Sequence, residues 1–105
     1  MRLKKVTITG VANSAWIPVD REQTPFNIGF GCTIDSGTAT YTVQHTFDDV
    51  YDPNVTPVAF NNSSVAAKTT NADGNYAFPV TAIRLSVSAG SSPVVSMAMI
   101  QGVKA

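Results

Sequence analysis

Charge is what this sequence has least of. Seven Lys and Arg balance seven Asp and Glu, 13% of 105 residues with no net charge, against about 25% charged in an ordinary globular domain. Nucleic-acid binding needs a positive field over the phosphates, so this balance argues against it. Cys32 is the only cysteine, which excludes an internal disulfide and a cysteine zinc cluster. His45 is the only histidine, so no second His is present to share a metal ion with it, and no catalytic Ser pattern lies near it. Met1, Arg2, Leu3, Lys4 and Lys5 make a basic start, yet no long apolar run follows. The expectation is therefore no signal peptide, no membrane span and folding in the cytosol. Internal repeats, heptads and low-complexity tails are also missing.

Polarity comes instead from Thr, Ser and Asn. A neutral polar surface costs less to desolvate than a charged one, and near-zero net charge weakens self-repulsion. Both suit a protein packed against neighbours. At 105 residues the chain is one domain, long enough to bury roughly two-thirds of its unfolded surface without staples.

The pattern that remains has a period of two. The stretch 76–102 organises it: Ile83, Leu85 and Val87 alternate with small or polar residues, as do Val95, Met97 and Met99, placing each set on one strand face. Ala89, Gly90, Ser91 and Ser92 between them predict a hairpin turn, with Pro93 at a strand start. Residues 26–34 alternate most strictly, with Phe26, Ile28, Phe30, Cys32 and Ile34 inward and Gly29 and Gly31 opposite, where another backbone can approach or a bulge form. Asp35, Ser36 and Gly37 predict a second hairpin turn into 38–47, which carries Tyr41, Val43, His45 and Phe47 on one face. Residues 3–9 read as a first strand with Val6 and Ile8 inward. Asn71–Asn75, containing Asp73 and Gly74, is a turn signal. Residues 53–74 read as a long irregular loop, with Ser63 or Ser64 capping a single helical turn over 65–68. The fold expected is an all-β, single-domain antiparallel β-sandwich or jelly-roll of about six to eight strands.

Candidate sites each have a plain structural explanation. Cys32 lies among apolar neighbours and reads as an inert core thiol. His45 reads as a hydrogen-bonded structural histidine; a His45, Asp48, Asp49 constellation is conceivable from spacing, but no nucleophile-elbow pattern accompanies it. Asp48, Asp49 and Asp52 with Asn54 have calcium-type oxygens, and read instead as caps of a turn. Asp20, Arg21 and Glu22 read as a solvated loop. Gly29-Phe30-Gly31 lacks the third glycine and following helix of a phosphate cradle. Three Asn-x-Ser/Thr matches, at Asn54, Asn61 and Asn62, read as chance without a secretory signal. Trp16 reads as a core anchor; with Tyr41, Tyr51 and Tyr76 it is also a candidate sugar platform if exposed and clustered. No catalytic residue, cofactor or metal site is expected.

Residues Ala15–Asp20 (AWIPVD), 24–29 (TPFNIG), 41–49 (YTVQHTFDD) and 75–85 (NYAFPVTAIRL) resemble, in their order and pattern, small virion proteins of tailed bacteriophages. The resemblance covers most of the chain. It implies a non-enzymatic structural part of the virion, assembled in the host bacterial cytoplasm. The preferred form is a capsid decoration (cement) protein. It would bind the major capsid protein or other virion proteins as a homo-oligomer, a trimer being favoured, with no nucleic acid or membrane partner. A neck, tail or fibre-attachment protein is the alternative within that class. A carbohydrate-binding host-recognition module is the alternative outside it.

Overall fold

A computed structural model describes residues 4–19 and 27–101. Asp20, Arg21, Glu22 and Phe26, together with Arg2 and Leu3, lie outside the described residues. The six strands are β1 (Lys4–Thr9), β2 (Ile17–Pro18), β3 (Ile28–Thr46), β4 (Phe60–Asn61), β5 (Ala72–Tyr76) and β6 (Ala82–Gln101). All pairings are antiparallel in one hydrogen-bonded sheet of order β1-β6-β3-β4, with β2 also on β6 and β5 also on β3.

Length shows how one sheet makes a core. A straight strand of 19 residues, the length of β3, would span about 60 Å, whereas the longest dimension of the molecule is 40 Å. Tyr76 pairs opposite Ile28 at the start of β3, yet its hydroxyl hydrogen-bonds His45 near the other end. β3 and β6 therefore bend back together, and the sheet closes on itself as two layers. Residues 12–14 continue the pass of β1 alongside 85–87 of β6, through the bonds of Val87 N–H to Ala12 O and Ser14 N–H to Leu85 O. Residues 62–68 do the same beside 41–43 of β3, where Tyr41 and Lys68 exchange both backbone bonds. Each layer is thus four chain passes wide.

The corner is a row of glycines, one in each of three adjacent passes. Gly10, Gly37 and Gly90 have φ of 89°, 69° and 148°, and register shifts fall at Ile34/Ser36, Ser36/Thr38 and Thr40/Tyr41. Such irregularities add local twist and bend to a ladder. In β3 they also change the inward set from even to odd positions: Ile28, Phe30 and Cys32 on one leg, Tyr41, Val43 and His45 on the other, all buried. With Ile83, Leu85, Val87, Val95, Met97 and Met99 the apolar members of these two sets form one core. Among the described residues every buried side-chain nitrogen and oxygen has a partner, as buried polar groups require.

The alternation and most of the inward residues match the sequence expectation, Phe47 excepted; the two hairpins do not exist. Residues 89–92 and 35–37 lie within β6 and β3, opposite each other, Thr38 pairing with Ser91 and Ala39 with Gly90. Their Gly and Ser permit a corner rather than a reversal. The turn expected over 71–75 is strand β5, where Gly74 faces Phe30. A Cβ at Gly74 would stand 2.9 Å from Phe30 Cζ, so this glycine makes room for the ring. Gly29 and Gly31 admit no close neighbour: a Cβ on either meets nothing within 4 Å. The helical turn at 65–68 is replaced by bends and the Tyr41–Lys68 bridge, with Ala67 at φ 50°. The expected loop 53–74 contains β4, that bridge and the start of β5.

Candidate functional site

Away from the corner, the ends of the two layers meet at a buried polar relay. His45, only 7% exposed, has Nδ1 2.9 Å from Tyr76 Oη. Asn62 Oδ1 accepts the Ser64 N–H at 2.9 Å, and its side chain also hydrogen-bonds the Tyr76 hydroxyl. With the amide as donor there, the Tyr76 hydroxyl bridges Asn62 and His45 Nδ1. Burial holds the His45 pKa below the ordinary 6.5 and pushes Tyr76 up to about 12. Each shift favours the neutral form this relay needs. His45 is buried and hydrogen-bonded, as its position in the alternation suggested.

Around this relay stand three phenylalanines. Phe47, Phe60 and Phe78 have ring centroids 5.5–6.0 Å from the His45 ring, and Phe47 lies 5.6 Å from Phe60 and 6.4 Å from Phe78. Yet they are 53%, 47% and 47% exposed. Phe47, expected to share the inward face of Tyr41 and Val43, instead caps the end of the layers, because β3 stops at Thr46. The three residues come from separate places in the sequence, so no local signal marked them as a group.

The acidic residues 48–52 organise the neighbouring loop. Asp48 Oδ2 accepts the Val58 N–H at 2.7 Å, Asp49 Oδ1 that of Tyr51 at 2.9 Å, and Asp52 Oδ1 that of Asn54 at 2.9 Å. The Asp49 and Asp52 bonds are turn caps, and the Asp48 bond ties the two ends of the loop together. Their partners are backbone groups, whereas His45 bonds Tyr76, so the conceivable His45, Asp48, Asp49 arrangement is not assembled by these bonds. Among the described residues no three His, Cys, Asp or Glu side chains converge to hold a metal ion.

A second surface feature is a groove of about 480 Å³ lined by Lys4, Lys5 and Val6 on one side, residues 15–18 on another, and Tyr51. Trp16 is only partly buried, a surface residue rather than the expected core anchor. The Arg84 guanidinium stacks 4.5 Å from its ring centroid. Arg84 Nε–H in turn donates to Gln44 Oε1 at 2.8 Å. Of the aromatic platforms named from sequence, Tyr41 and Tyr76 are fully buried while Tyr51 is 77% exposed. Only Trp16 and Tyr51 therefore share an open surface. Cys32 is buried, and desolvation pushes its thiol pKa up to about 12, the behaviour of an inert core residue.

No protein-family model matches the chain, and no curated protein sequence matches it. Among solved structures it is similar to one described by the words "Bacillus endospore appendages form a novel family of disulfide-linked pili". The identity is 15% over 97% of this chain and 88% of that one, with a TM-score of 0.47. A likeness that loose carries no argument about what this chain binds or builds.

Proposed function

We propose that this chain is a non-enzymatic structural component of a tailed-phage virion, docking on other virion proteins as a capsid decoration protein. The observation that carries the docking role is the cluster of Phe47, Phe60 and Phe78, each about half exposed. Single exposed apolar residues are ordinary. A contiguous aromatic group fixed on a rigid end is what interface centres are made of, and aromatic anchors supply most of the energy there. The relay beneath them holds the rings in place before any partner arrives, which lowers the ordering cost of association. The neutral Thr, Ser and Asn surface around them supports the same reading. The virion setting rests on the resemblance of the strand pattern, and repetition over a shell would multiply a modest affinity per copy.

The test is co-sedimentation of the purified chain with particles of the phage that encodes it. The wild-type chain is expected to pellet with particles and a Phe47→Ser/Phe60→Ser/Phe78→Ser variant to stay in the supernatant with its melting temperature little changed. Equal pelleting of both would refute docking through this end.

A further inference from the structure

We propose that the groove between β1 and residues 15–18 binds an acidic saccharide, its sugar ring stacked on Trp16 and Tyr51 and its carboxylate held by Lys4 and Lys5. This site is separate from the phenylalanine end and does not depend on the role proposed for it.

Three observations converge on that chemistry. The first is charge: among the described residues, Lys4 and Lys5 are the ionisable groups that line the groove besides Tyr51, and no described carboxylate lines it. In a protein of zero net charge this is a local positive field, and it selects an anion. Lys5 also lies within electrostatic reach of Asp35, whose pKa it helps to lower. The Asp35 carboxylate accepts hydrogen bonds from Ser96 and Thr33.

The second is the pair of aromatic rings. The apolar C–H face of a pyranose packs on an aromatic ring, and two rings at one opening grip a chain of sugars rather than an isolated ion. The third is preorganisation. Arg84 covers Trp16 from one side and is itself fixed by Gln44, whose amide nitrogen donates to Asn61 Oδ1 at 3.0 Å. A relay across three chain passes thus sets the tryptophan. The Asp49 and Asp52 caps hold the backbone on both sides of Tyr51, so this exposed ring stands on a fixed loop. Rigid platforms bind with little ordering cost. The volume of about 480 Å³ suits a small saccharide with a few polar anchors.

Trp16 is the only tryptophan, so its fluorescence reports on this groove alone. The experiment is a titration of the full chain with oligogalacturonate, hyaluronan oligosaccharides and a neutral galactan oligomer of matched length. Expected is a saturable change with at least one acidic oligomer and about tenfold weaker binding of the neutral one. The acidic affinity is expected to fall with added salt. Tyr51→Ala and Lys4→Ala/Lys5→Ala, all exposed positions, are each expected to weaken binding about tenfold, the usual effect of removing an anchor, at unchanged melting temperature. Trp16→Phe, read by calorimetry, is expected to keep measurable but weaker binding. No saturable response to either acidic oligomer, or equal response to the neutral one, would overturn the proposal. Tighter binding of oligo(dT) than of any saccharide would overturn it in favour of a nucleic-acid ligand.

Discussion

Gly90→Ala puts the bent architecture at risk in one atom. Gly90 has φ 148°, in a region essentially reserved for glycine, so an alanine there costs about 1–3 kcal/mol in backbone strain. A Cβ would also sit 2.1 Å from Thr38 O and 3.0 Å from Ala39 Cα. These are backbone atoms of the paired strand, so relief requires β3 and β6 to separate at the corner, costing about 1–3 kcal/mol more. The sum, about 2–6 kcal/mol, is a large part of a typical domain's 5–15 kcal/mol. At about 4–8 °C per kcal/mol for a chain of this size, the melting temperature read by circular dichroism should fall by at least about 8 °C, with a matching drop in urea midpoint. Gly37 makes the reciprocal contact, its Cβ position 2.3 Å from Ser92 O and 2.4 Å from Ser91 O. Gly37→Ala should therefore be similarly damaging, and the double variant less than additive, because once the corner has opened for one methyl the second costs less. Gly29→Ala and Gly31→Ala are internal controls: nothing lies within 4 Å of either Cβ and neither φ is positive. They should be neutral or gain up to about 1 kcal/mol through the unfolded state. A Gly90→Ala protein melting within about 2 °C of wild type would refute the matched corner.

Phe30→Ala should destabilise by about 3–5 kcal/mol, since the ring is 5% exposed and packs 5.6 Å from Tyr76; an unchanged urea midpoint would show the faces are reversed. Gly74→Ala should cost about 1–3 kcal/mol by crowding that ring, and much less when combined with Phe30→Leu, as chemical denaturation of the pair will show. Stability should depend on pH through His45. Its folded pKa lies below the unfolded 6.5, so the unfolded state binds the extra proton. The contribution is complete above about pH 6.5 and declines as pH falls from there through the folded pKa. Urea midpoints in that range should drop for wild type and less for His45→Gln; parallel profiles would remove the relay from the account. Cys32 should resist a thiol reagent at pH 8 in the native protein and react when unfolded, since burial pushes its pKa up to about 12; fast native labelling would contradict that burial.

Much of this fold was legible because period-two patterning survives bending. Tyr41, Val43 and His45 could be placed on one face from spacing alone, as could Ile83, Leu85 and Val87, and all six are buried. Connectivity was not legible. Gly37 and Gly90 satisfy the backbone demands of a reversal and of a corner alike, and only pairing across the chain, Ala39 with Gly90, separates the two. Asp73-Gly74 misled for a related reason: its glycine answers to the volume of Phe30 on another strand, which no local motif records. The aromatic end was hidden because Phe47, Phe60 and Phe78 lie in segments that meet only after the layers close. The groove was half visible, in that Trp16 and Tyr51 stood among the named platforms. Burial of Tyr41 and Tyr76 selected between them, and that depends on tertiary packing.

We propose that this chain is a virion component that docks through its phenylalanine end. Cryo-electron microscopy of particles from the phage encoding it tests this most directly. The expected result is density for a two-layer β-domain repeated over the capsid lattice, with Phe47, Phe60 and Phe78 against the coat. Density confined to the neck or tail would contradict decoration, and particles carrying no copy of the domain would contradict the structural role itself.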